Sequence, residues 1–126
     1  MATRRLVGID GVDTRASAAL ASGIRSLGAT PLAVITAVRE RELFRGAPPT
    51  LYRRGLRLWR VMQTELAQLP SDQAHVVALR SDHFVQDDRP LAVVRAVRAV
   101  VSAVRDHTEL PPCARLFPGP DFRCLG

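Results

Sequence analysis

Apolar positions recur along the chain at two different spacings, and each spacing predicts a different kind of element. Val93, Val97, Val100 and Val104 fall every three or four residues and are widened by Val94 and Val101. Arg95, Arg98, Ser102 and Arg105 take the opposite side. This 3.6-residue period predicts an amphipathic helix over 90–106. Pro90 opens it, where a fixed backbone angle helps and a missing amide costs nothing. Valine is only a moderate helix former, so this helix has to draw its stability from burial against a sheet. Trp59, Met62, Leu66 and Leu69 form a second apolar stripe and predict a helix over 56–69, ended by Pro70 and Ser71. Asp13 or Thr14 caps an alanine-rich helix running to Leu27, and Gly28 stops it. Two short continuous apolar runs, 32–36 and 75–79, read as buried strands. The charged and Gly/Pro-containing stretch 37–55 reads as a long loop. Residues 80–89 read as a polar loop, in which Asp87 or Asp88 caps the last helix.

The resulting order is helix, strand, helix, strand, helix. Alternation of this kind predicts an α/β fold, with short parallel strands flanked by helices. Residues 1–13 read as an irregular N-terminus, 14–106 as the domain and 107–126, with Pro111, Pro112, Pro118 and Pro120, as a loosely packed tail. Two strands of about five residues cannot cover two amphipathic helices. Each valine left uncovered forfeits roughly 1.5–3 kcal/mol, against a usual net stability of about 5–15 kcal/mol. The pattern therefore predicts poor folding as an isolated monomer, relieved by self-association, by a partner chain completing the sheet, or by a further strand from residues 5–12.

Composition narrows the function classes. All 18 basic residues are arginine, set against 12 acidic ones, for a net charge of +6. The arginines are scattered, with no basic block and no aromatic-interleaved motif, so no nucleic acid is expected as a partner; a basic nucleic-acid-binding protein stays as one alternative. No apolar run reaches the length of a membrane span and no leader pattern appears, so no membrane is expected and the location is expected to be cytoplasmic. Cys113 and Cys124 can form at most one bridge and, with His107, do not make a zinc spacing. Asp82, Asp87 and Asp88 lack the spacing of a calcium loop. No metal and no cofactor is expected.

The most specific stretch runs from Trp59 to Arg105. It carries W-x3-Q-x-E-L-x-x-L, then the strand H-V-V-A-L, then S-D-H-F-V-Q, then a proline-initiated helix. Together with P-L-A-V-I-T-A at 31–37, this resembles the C-terminal part of the α/β-hydrolase superfamily. The resemblance implies a C-terminal fragment of that fold and hydrolysis of ester or similar bonds. It also implies that His83 occupies the place of the catalytic base, since a serine hydroxyl becomes a competent nucleophile only when an imidazole takes its proton. Counted from the strand, Glu40 falls about where family members place the acid, with Glu42 its neighbour. The sequence departs from the family pattern in two ways. No G-x-S-x-G is present, so the strained turn that exposes a nucleophilic serine is missing. The family's glycine before the histidine is Asp82, at a position where glycine permits an unusual backbone angle. The resemblance thus implies a hydrolase-like chain inactive on its own. The alternative class is a non-catalytic interaction module or the partner of a split enzyme.

Overall fold

The computed structural model describes residues 11–125. Asp13 caps α1 (Thr14–Ala21) by accepting from the Ala16 amide at 2.9 Å, as an N-cap aspartate should. The helix ends six residues before Leu27, and none of its residues is buried. Gly28 comes later, at a φ of 60° that a side chain would strain, and its carbonyl ties the turn to Ser71. Then follow β1 (Leu32–Ala37), α2 (Pro49–Ala67), β2 (Gln73–Ala78), α3 (Val85–Asp88), α4 (Pro90–Asp106), α5 (Cys113–Leu116) and β3 (Phe122–Leu125). The expected third strand from residues 5–12 lies largely outside the described residues. α2 starts at Pro49, earlier than the apolar stripe predicts. Proline is well placed in a first turn, and the chain from 49 to 55 continues helically through Gly55 instead of looping.

β1 and β2 pair in parallel over six residues, Leu32 opposite Gln73 through Ala37 opposite Ala78. The sequence pattern predicts no strand in the tail. β3 comes from the proline-containing segment read as a loose tail, and runs antiparallel to β2 with His75 opposite Leu125 and Ala78 opposite Phe122. A disulfide between Cys113 and Cys124 ties β3 to α5. The domain is thus a small mixed α/β unit, a three-stranded sheet in the order β1-β2-β3 with flanking helices.

Side chains alternate across a strand, and the packing follows that alternation. Ala33, Ile35 and Ala37 of β1 and Ala74, Val76 and Ala78 of β2 share the face covered by α4, α5 and Phe117. α2 contacts both strands but contributes to neither of these clusters, so it takes the other face, beside Val34, Thr36, His75 and Val77.

The orientation of α4 corrects the sequence reading. Its buried residues are Ala92, Ala96 and Ala103, with Ala99, Val93 and Val100 partly covered. Val97 and Val104 remain more than half exposed. A row of alanines lets a helix sit close to a sheet, and close approach is what a narrow sheet of small residues permits. The wider valine stripe is therefore turned mostly to solvent. The same holds in α2, where Met62 and Leu66 are exposed and Ala67 is buried. This orientation predicts a contrast. Ala96→Leu overpacks the interface and costs about 1–3 kcal/mol, whereas Val97→Thr stays within about 0.5 kcal/mol. Urea unfolding of the two variants checks it; equal losses would mean that the helix is rotated.

Candidate functional site

β1 and β2 are parallel, so the loops that follow them leave the same end of the sheet. Glu40 stands three residues beyond the end of β1 and His83 five beyond the end of β2. The structure brings them together: His83 Nδ1 lies 2.6 Å from Glu40 Oε2. Glu40 is 2% exposed, while the His83 side chain is 34% exposed. The carboxylate is sunk into the protein and the imidazole forms the boundary with solvent. Glu42, the other candidate acid, pairs with Arg45 on the surface instead.

Several contacts hold this arrangement. The Arg39 amide donates to the Ser81 carbonyl at 3.3 Å, and the Val38 amide to Ala78 at 3.2 Å, so the two loops separate slowly after the strands end. Arg60 of α2 donates to the Val38 carbonyl at 3.0 Å. Asp82 accepts from the Arg41 amide at 2.8 Å and from its guanidinium at 2.6 Å. It also accepts from the His83 amide at 3.0 Å. Burial pushes the Asp82 carboxyl up, but the hydrogen bonds from Arg41 and His83 outweigh it and hold the group below its ordinary value. Asp88 receives the Asp82 amide at 2.8 Å.

Two expectations about these aspartates are thereby corrected. Asp82 does not take the left-handed angle a glycine there would serve; its carboxylate bridges the two loops. Neither Asp87 nor Asp88 caps α4, whose N-cap is Arg89 without a side-chain hydrogen bond, and Asp88 is used to brace the histidine loop. A carboxylate two or three residues before a helix start reads as a cap in sequence. Nothing local signals that the side chain turns back toward Asp82.

Beside Glu40, Arg41, Phe44, Arg45, Ala47 and Tyr52 line an open hollow of about 450 Å3. Phe44 meets Tyr52 edge-on at 6.0 Å and presses on α2 where Gly55 has no side chain. A larger hollow, about 870 Å3, lies at the opposite end of the strands, among Pro31, Asp72, Gln73, Val104 and His107. Size alone favours that second hollow, but the paired carboxylate and imidazole stand at the other end.

The chemistry of the pair follows from its geometry. A carboxylate has only acceptors, so the ring nitrogen facing it carries the proton. In a neutral ring that leaves Nε2 as the basic atom. Among the described residues no Ser, Thr or Cys side chain is hydrogen-bonded to His83, and both cysteines are in the bridge. Nor does any group of His, Cys, Asp and Glu among them have the arrangement of a metal site. No helix of the described residues is long and apolar enough to cross a membrane.

A second histidine is buried without such a partner. His75 on β2 is 3% exposed, with Nε2 2.9 Å from Thr36 Oγ1. Burial holds its imidazole below the ordinary value of 6.5. The folded state therefore binds this proton less readily than the unfolded chain does. Its contribution to stability is complete above about pH 6.5 and is lost as the pH falls from there through the depressed folded value. Thermal unfolding of the wild type and His75→Gln across pH 7.5 to 4.5 isolates the effect: the wild type is expected to lose more stability on acidification. Parallel curves would show that His75 protonates freely in the folded state.

Compared with family models, with curated proteins and with solved structures, the chain matches none.

Proposed function

We propose that this domain supplies the acid and base of an α/β-hydrolase-like site, acting on ester or similar bonds with a nucleophile brought by another polypeptide segment. Glu40 is the acid and His83 the base. The observation that carries this reading is the 2.6 Å contact between His83 Nδ1 and a carboxylate that is almost fully buried, at the carboxyl end of parallel strands. The sequence resemblance points to the same two residues and the same end of the sheet. Glu40 fixes the ring and its tautomer and stabilises the imidazolium that forms when Nε2 takes a proton. The nucleophile is a serine of that other segment, held against Nε2.

Diethyl pyrocarbonate tests whether Nε2 is a free base. At pH 8, where ordinary imidazoles are neutral, His83 is expected to be carbethoxylated, and Glu40→Ala to slow that reaction several-fold, as mapped by mass spectrometry. A His83 that does not react, or reacts equally without Glu40, removes the basis of the proposal.

A further inference from the structure

Among the described residues β1 has one neighbour, β2, and its other edge is open. The hydrogen-bond pattern shows which groups face that edge. The Leu32 amide donates to Asp72 and the Val38 amide to Ala78, both across to β2. In a parallel ladder alternate residues bond the same neighbour, so Val34 and Thr36 also turn their peptide groups toward β2. Ala33, Ile35 and Ala37 are left presenting N–H and C=O outward. Nothing on the strand blunts this edge. L-A-V-I-T-A holds no charge, no proline and no bulge, the devices that normally keep an exposed edge from pairing. A row of alternating donors and acceptors at strand spacing is complemented by one thing, another extended backbone.

The two long helices that sit on the faces of β1 add a second, independent feature. α2 carries Arg53, Arg54, Arg57 and Arg60 against a single acid, Glu65, and α4 carries Arg95, Arg98 and Arg105 against Asp106. Among the described residues none of these arginines forms an ion pair with a carboxylate. A second copy of this chain would bring the same positive helices together. An acidic segment would neutralise them.

We infer that the free edge of β1 docks a partner polypeptide that adds a strand to the sheet and carries acidic side chains toward the arginines of α2 and α4. The inference rests on the edge and the charges, and holds whether or not the Glu40–His83 pair is catalytic.

The test uses the full 15N-labelled chain and a synthetic strand peptide of alternating valine and threonine, with two glutamates at each end. A second peptide has lysines in place of the glutamates. The acidic peptide is expected to slow amide exchange at Ala33, Ile35 and Ala37 by at least about tenfold and to bind more weakly as salt screens the charges. The lysine peptide is expected to do neither, and Ala33→Pro, which removes one outward N–H, to weaken binding of the acidic one. Absence of protection, or equal protection by both peptides, overturns the inference. So does protection in the free chain that grows with protein concentration, which assigns the edge to a second copy. Protection of the dilute free chain that disappears when residues 1–10 are deleted assigns it to this chain's own N-terminal residues and overturns it as well.

Discussion

On an activated ester such as p-nitrophenyl acetate, the chain by itself is expected to turn over on the order of a million-fold more slowly than a complete serine hydrolase. The magnitude comes from the behaviour of triads, in which loss of the serine alone costs about as much as loss of all three members, roughly 2 × 10⁶ in kcat. Glu40 and His83 orient and accept a proton, but no hydroxyl among the described residues is poised to give one. Ser81, the serine nearest in sequence, is fully buried and donates to the Asp82 carbonyl at 2.8 Å. A fluorophosphonate that labels activated serines should leave the protein unmodified. The residual ester cleavage should be that of an exposed imidazole and should fall on His83→Ala. Turnover at an ordinary enzymatic rate of about 1–10³ s⁻¹, abolished by His83→Ala, would mean that the chain contains its own nucleophile.

The second large effect is on stability. Reducing the Cys113–Cys124 bridge is expected to cost about 3 kcal/mol, and to lower the melting temperature by about 10 °C. The bridge closes a loop with a sequence separation of 11, for which chain entropy gives roughly 2.8 kcal/mol. For a domain of this size each kcal/mol moves the midpoint by about 4 °C. More than entropy depends on it. β3 has only four residues and is held by its pairing with β2, by Phe122 packed against the core beside Phe117, and by the bridge. Cys113 also sits 3.4 Å from the His75 carbonyl on the central strand. Thermal scans with and without reductant, and of the Cys113→Ser/Cys124→Ser double variant, measure the loss. Identical midpoints would show that β3 needs no tether. Because such bridges are rare in a reducing cytosol, the reduced scan gives the stability the chain has in one.

The two long helices were legible because their apolar period is clean, and the parallel strands because each is a short, nearly unbroken apolar run. The 90–106 helix and the pairing of the two apolar runs follow from spacing alone. Which side of α4 meets the sheet did not follow. Hydropathy ranks valine above alanine, but the strands beneath are themselves rich in alanine, and close approach selected Ala92, Ala96 and Ala103. β3 was not legible either. F-R-C-L is only four residues long and follows four prolines within ten residues, and a bridge across two turns supplies what local propensity does not. At the site, His83 and Glu40 were singled out by resemblance and by counting from the strands. Their contact depends on parallel strands ending together, which sequence implies only once the pairing is known. Sequence alone presents Asp82 as a replacement for glycine and Asp88 as a helix cap, whereas both brace the histidine loop. Arg41, the partner of Asp82, comes from the loop after β1, whereas Asp88 turns back within its own loop to the Asp82 amide.

The contact between Glu40 and His83 carries the proposed chemistry, and nitrogen-15 correlation spectra of the imidazole test it most directly. His83 is expected to be protonated at Nδ1 when neutral, with a slowly exchanging, downfield Nδ1 proton that disappears in Glu40→Ala. A neutral ring protonated at Nε2, or one whose spectrum does not respond to Glu40→Ala, would contradict it.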